Sequence, residues 1–197
     1  MSTTTTQPAP GLTHKQILVV FAGLMAGMLL AALDQTIVST ALPTIVGELG
    51  GLDHLSWVVT AYLLTTTAST PLYGKLSDIY GRRLMFQSAI IIFVVGSMLC
   101  GLSQNMLQLI AFRGLQGIGA GGLMAMAFAI IGDIVSPRER GRYTGYLGAV
   151  FAVASVAGPL LGGFFVDNLT WRWVFYVNVP IGIAALAVVS KTLHLRH

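Results

Sequence analysis

The sequence predicts an all-α membrane protein built as a six-transmembrane-helix bundle, on three observations. Charged residues fill 9% of 197 positions and apolar residues 55%, whereas about 25% of an ordinary soluble domain is charged. The charges gather in short clusters with long apolar runs between them. Glycine is abundant, at 23 residues, which suits close approach of helices in a bilayer. So few charges cannot cover a water-facing exterior, and the solvent implied for this chain is lipid.

A spanning helix needs about 20 mostly apolar residues, and six stretches qualify. They are Ile17–Val46, Trp57–Leu76, Leu84–Leu102, Leu107–Ile131, Tyr143–Val166 and Val174–Ser190. The first is too long for the apolar region of a secretory signal and five more follow, so it is read as a retained helix. Residues 1–14 are Thr- and Pro-rich with nothing to bury, and a disordered tail is expected there. Residues 15–197 then form one six-helix domain.

Orientation follows from the alternation of Lys and Arg between connections. One side receives Lys15, Lys75, Arg82, Arg83, Arg138, Arg140, Arg142, Lys191 and Arg196, and the other receives only Arg172. Both chain ends are therefore expected in the cytoplasm, with the bundle in the plasma membrane. The net charge of +4 does not point to nucleic acid, because the positive residues form no continuous basic face. The single cysteine, Cys100, excludes a disulfide framework and a Cys-based metal site. No metal, phosphate-loop or nucleophile–base constellation is present, so neither an enzyme nor a bound cofactor is expected.

Ionisable residues inside a span cost at least a few kcal/mol unless paired or hydrated, which makes them functional candidates. Asp34 lies roughly 25 Å along the first span at 1.5 Å per residue. It shares a helix face with Gly23, Gly27, Leu30 and Ala41. One reading is a proton-exchanging carboxylate; the other is an Asp near the outer interface paired with Gln35, Thr36 or a neighbouring helix. Arg113 sits about two turns into the fourth span, with Gln116 and Gly117 at i+3 and i+4. It is either a fixed charge acting on a nearby carboxylate, or a side chain that snorkels outward or only locks helices through buried hydrogen bonds.

Gly145, Gly148, Ala152, Ser155, Gly158 and Gly162 recur at steps of three and four along the fifth span. Such a stripe suits a close helix seam, and Pro159 is expected to kink it. In GKLSDIYGRR, Gly74 and Gly81 allow a tight reversal, and Asp78 can pair with Arg82 or cap the third helix. Asp133, just before SPRERGR, is expected to be the counter-ion of an arginine in that turn. Trp171, Trp173 and Tyr176 read as an interfacial aromatic belt.

With these residues in place, the chain resembles the amino-terminal half of the drug:proton antiporters of the major facilitator superfamily, in particular the fourteen-helix EmrB/QacA-like branch. LDQTIVSTALPTI resembles that branch's first-helix motif, with Asp34 in the acidic position. GKLSDIYGRR is similar to the superfamily's loop signature and departs from it at Ile79. RGLQGIGAG resembles the fourth-helix motif, GPLLGG the antiporter motif and WRWVFYVNVPIG the sixth-helix entry.

The resemblance implies a fold of two inverted three-helix repeats and export driven by the proton gradient. Asp34, Arg113 and Gln116 would serve proton coupling or substrate binding. Gly74, Asp78, Gly81, Arg82, Arg83 and Asp133 would form a cytoplasmic gating cluster. Gly158, Pro159, Gly162 and Gly163 would shape the antiporter-motif helix. The implied partners are the bilayer, protons, a lipophilic cationic small molecule, and a second transporter half or a homodimer mate. The alternative expectation is a truncated, transport-inactive membrane fragment.

Overall fold

The computed structural model describes residues 14–192. The tail expected over 1–14 lies outside the described residues except for His14, which opens the first helix. The long helices are α1 (His14–Leu49), α2 (Leu55–Tyr80), α3 (Arg82–Leu102), α4 (Met106–Ile134) and α5 (Arg140–Asn168). The sixth apolar stretch divides into a short α6 (Trp173–Tyr176) and α7 (Asn178–Thr192).

Five of these segments are long and apolar enough to cross a membrane by length and composition: α1, α3, α4, α5 and the α6–α7 segment. With 26 residues α2 is also long enough, but its run of Thr and Ser lowers its hydropathy. Those hydroxyls are satisfied within the bundle. Thr65, Thr66, Thr67 and Thr70 donate to carbonyls one turn back at 2.7–2.9 Å. Thr66 and Ser69 also reach the Gly117 and Ile118 carbonyls of α4, at 3.1 and 3.3 Å. A polar load paired in this way carries little of the penalty that unpaired hydroxyls would pay in hydrocarbon.

The helices alternate in direction. One apolar cluster gathers Val20 of α1, Tyr73 of α2, Phe86 of α3, Ile131 of α4, Tyr143 of α5 and Val189 of α7. A second gathers Ile45, Val58, Cys100, Met106, Ala154 and Val174 from the opposite end. Lys75, Arg82, Arg83, Arg138, Arg140, Arg142 and Lys191 fall at the end of the first cluster, hereafter the basic end. The sequence-based grouping of the positive connections thus matches the folded chain.

Helix α4 packs chiefly on α2 and α3, while α1 packs on α5 and α7. Glycine sets the first of these distances. A Cβ at Gly119 would lie 2.8 Å from the Ala89 carbonyl of α3, and one at Gly121 would lie 2.7 Å from the Thr66 carbonyl of α2. Neither backbone can retreat without opening a seam, so α4 carries the closest helix approaches.

The stripe expected on α5 is only partly a seam. Gly158 and Gly162 abut Thr36, Ile37 and Thr40 of α1, whereas Gly145, Gly148 and Gly163 have no neighbour that a Cβ would meet. Ala152 and Ser155 are exposed. The i, i+3/i+4 spacing wraps slowly around the helix, so its two ends face different surroundings. The helix continues through Pro159 to Asn168.

Gly119→Val is expected to destabilise the bundle by about 1–3 kcal/mol through overpacking against α3. Cys100 is fully buried and is the only thiol in the chain. Its rate of alkylation in detergent therefore measures opening, and should rise in this variant while Gly145→Val leaves it unchanged.

Candidate functional site

The buried polar residues converge between the two apolar clusters. Asp34 is fully buried on α1, flanked by Ala31 of one cluster and Leu33 of the other. Its Oδ2 accepts from Arg113 Nη1 of α4 in an ion pair whose partners are both buried. Its Oδ1 accepts from Gln116 Nε2 and from Asn178 Nδ2, each at 3.0 Å. Arg113 Nη1 also donates to Gln116 Oε1 at 2.8 Å. The guanidinium lies over the Tyr62 ring of α2, 3.9 Å from its centroid, a favourable cation–π position. On the far side Asn178 Nδ2 donates to Ser97 Oγ at 2.9 Å, and Ser97 donates to the Phe175 carbonyl at 2.6 Å. Five helices thus meet on one carboxylate or on its immediate partners.

The sequence reading left the surroundings of Asp34 and Arg113 open. Asp34 pairs with neighbouring helices, one of the expected alternatives, and not with Gln35 or Thr36. Arg113 points inward and locks helices through buried hydrogen bonds rather than snorkelling. Burying two opposite charges is costly, and mutual attraction offsets that cost only when further hydrogen bonds complete the geometry. Gln116 supplies this, since one amide donates to the carboxylate and accepts from the guanidinium. The pair is neutral as a unit, and a proton arriving at Asp34 would leave Arg113 as an uncompensated buried cation.

Asn178, Tyr62 and Ser97 were not singled out from the sequence. Asn178 carried a usable signal, being a neutral polar residue after VFYV and before an apolar run. Tyr62 and Ser97 carried none that separates them from ordinary core residues.

A cavity of about 430 Å3 opens beside this network, lined by Gln35, Thr36, Ser39, Thr40, Arg113 and Pro159 among others. Hydroxyls and one amide give its wall hydrogen-bonding capacity. A second, apolar cavity of about 530 Å3 lies between α1 and α5, with Phe21, Met25, Tyr146 and Val150 in its lining.

At the basic end, Gly81 separates α2 from α3 with φ +99°, a region that side chains rarely tolerate. Gly74, expected to share that turn, instead lies within α2; reversing the chain required one positive-φ residue. Arg82 Nε binds Asp133 Oδ2 of α4 at 2.9 Å, and its Nη2 binds Asp78 Oδ1 at 3.0 Å. Arg82 also donates to Ser77 Oγ. Asp133 therefore serves the arginine of the α2–α3 turn rather than one in its own turn, where Arg140 donates to the Gly132 carbonyl at 2.9 Å. Arg83 is half-buried in the first turn of α3.

The expected aromatic belt is corrected at the opposite end. Trp171 is buried, and its indole N–H donates to Glu48 Oε2. Arg172 lies over the Trp171 ring and donates to the Gly101 and Ser103 carbonyls at 2.6 and 2.8 Å. Tyr176 donates to the Gly101 carbonyl at 3.1 Å. The α5–α6 connection folds back over the ends of α1 and α3, and only Trp173 of the three is exposed.

The family model of the Major Facilitator Superfamily matches residues 24–196. The chain belongs to the major facilitator superfamily. It is 51% identical over 174 residues to the multidrug transporter protein MdtP of Bacillus subtilis, covering 88% of this chain and 32% of that protein. It is 42% identical over 189 residues to the efflux pump FUS6 of Gibberella fujikuroi, covering 96% of this chain and 34% of that protein. The chain therefore spans about a third of these curated relatives. Among solved structures, the proton:xylose symporter XylE superposes with a TM-score of 0.80 at 15% identity, covering 94% of this chain and 48% of that one. That likeness establishes the facilitator fold.

Within this facilitator bundle, Arg113→Leu alone should cost about 3–5 kcal/mol, because it strands a buried carboxylate. Asp34→Leu/Arg113→Leu should recover most of that loss. Thermal unfolding of the single and double variants checks this, and strictly additive losses would show that the two charges are not coupled.

Proposed function

We propose that this chain forms the amino-terminal half of a proton-coupled multidrug exporter of the fourteen-helix EmrB/QacA-like branch. The observation that carries this reading is the buried Asp34–Arg113 pair beside a cavity. The carboxylate on α1 pairs with a single cation on α4, so a proton taken up by Asp34 would loosen the contact between the two helices. Gln116 keeps both partners in register. The efflux names of the relatives and GPLLGG on α5 support export over import. A lipophilic cation is the substrate class that the resemblance to multidrug exporters favours.

In this reading Arg82 ties the α2–α3 turn to α4 through Asp133 and acts as a gating contact, with Gly81, Asp78 and Arg83 shaping the turn and Gly74 allowing α2 to bend. Gly158 and Gly162 hold α5 against α1, while Pro159 and Gly163 shape its face toward the cavity. Both termini lie in the cytoplasm and the bundle in the plasma membrane, with the basic end inward. Alternating access needs two bodies moving against each other. The partner body is a second half, within a longer chain or supplied separately, or a homodimer mate; without it the bundle is a transport-inactive fragment.

Asp34→Asn in the complete transporter should abolish proton-driven export of lipophilic cations, since a neutral amide cannot exchange protons. Transport by inside-out vesicles across a pH series checks this, and unchanged pH-dependent uptake would overturn it. Residues 1–197 expressed alone should give no export above an empty vector; robust export by a reconstituted monomer would remove the need for a second body.

A further inference from the structure

Among the described partners of Asp34, Arg113 Nε and Asn178 Oδ1 are buried without a hydrogen-bond partner, and of the two only Asn178 Oδ1 can accept. Asn178 is fully buried, and its Nδ2 donates to both Asp34 and Ser97. The network fixes this amide orientation. The carboxylate can only accept, and the Ser97 proton is already committed to the Phe175 carbonyl, so both must receive N–H from Asn178. Gln116 has no such freedom, because its Oε1 accepts from Arg113 at 2.8 Å and faces Cys100 Sγ at 3.6 Å.

We propose that Asn178 is a positioning residue that senses whether Asp34 carries a proton and relays it to the α6–α7 junction. This rests on the reading of Asp34 as the proton-exchanging group. When a proton arrives at Asp34 Oδ1, that oxygen becomes a donor and faces the N–H of Asn178. Rotation of the amide presents Asn178 Oδ1 instead, which accepts from the new carboxyl O–H. Ser97 then loses its donor and turns its own O–H to the second lone pair of Asn178 Oδ1. The Phe175 carbonyl is thereby released. One proton enters, no covalent bond other than its O–H forms, and each remaining change is a rotation.

The location gives the relay its consequence. Phe175 lies in α6, Val177 separates α6 from α7, and Asn178 opens α7. Phe175 also packs edge-on to Trp171, with centroids 6.2 Å apart. The α6–α7 junction is thus tied on one side to Asp34 and on the other to the connection that covers the ends of α1 and α3. The titratable and charged groups facing Asp34 are Arg113 from α4, Tyr62 from α2 and Cys100 from α3. Near Asp34, α5 meets α1 through Ala154 and Gly158, and α7 contributes Asn178, none of them titratable.

The test uses the full chain in nanodiscs with Trp57→Phe and Trp173→Phe, which leaves Trp171 as the only tryptophan. Infrared difference spectra between about pH 5 and about pH 9 follow the Asp34 carboxyl, identified by its loss in Asp34→Asn, while Trp171 emission follows the junction. In the parent both signals should titrate together. In Asn178→Leu the carboxyl band should persist while the Trp171 response falls roughly fivefold or more, because leucine can neither donate nor accept.

Ser97→Ala should give the same separation with little disturbance of packing, and Ser97→Thr, which keeps the hydroxyl, should retain the response. A Trp171 response of parental size and midpoint in Asn178→Leu or Ser97→Ala overturns the relay. An Asp34 band that titrates in the parent without any Trp171 change also overturns it and leaves the proton-exchange reading intact. No titrating Asp34 band in the parent overturns both.

Discussion

A carboxylate and a guanidinium, both cut off from water, set the terms for the rest of this bundle. Neither charge is tolerable alone in a bilayer, so α1 and α4 must be held close enough for the ion pair to form. That requirement reaches α2 through the Tyr62 ring over Arg113 and α7 through Asn178 on Asp34. The apolar clusters above and below would tolerate many small repackings. The polar layer between them tolerates few, because each rotation there strands a donor or an acceptor.

Packing around this layer is uneven. Helices α2, α3 and α4 form a slab joined by glycine-lined approaches and by hydroxyls shared between α2 and α4. Helices α1, α5 and α7 form a second group, where α5 rests mainly on α1. The two groups meet along α1–α4 and α3–α7, and the Asp34 network bridges both contacts. Much of the exposed side of α5 carries large apolar residues, including Val153, Val156, Leu160 and Phe164, which suits lipid or a further helix better than water.

Five of the six apolar stretches and the end at which the basic connections gather were legible because both follow from the cost of placing charge in hydrocarbon. Asp34 and Arg113 stood out for the same reason. That they pair was not legible: 79 positions separate them, and no local period connects two helices that far apart. Asn178 was hidden because a neutral amide carries a weaker penalty than a charge and sat beside residues that resembled an interfacial belt. Trp171 shows the same ambiguity from the other direction. A tryptophan at a span edge can anchor to lipid or turn inward, and the Glu48 carboxylate that draws it inward is 123 positions away. Gly74 and Gly81 both flank the basic turn, and only the backbone path distinguishes the glycine at positive φ from the one in a regular helix turn.

The junction between α6 and α7 is held by the same set of partners. Val177 keeps helical backbone angles and its N–H bonds to the Trp173 carbonyl at 3.0 Å, so the span runs on through it. On either side the Phe175 carbonyl accepts from Ser97, and Asn178 turns inward to the carboxylate. The Arg172 guanidinium and the Tyr176 hydroxyl both bind the Gly101 carbonyl, holding α6 against the end of α3. Buried polar groups at membrane depth are tolerated only where protein supplies their partners. Ser97 and Asn178 serve both the junction and the network that neutralises Asp34, so the polar groups of the sixth span and the buried charge are satisfied by one set of hydrogen bonds.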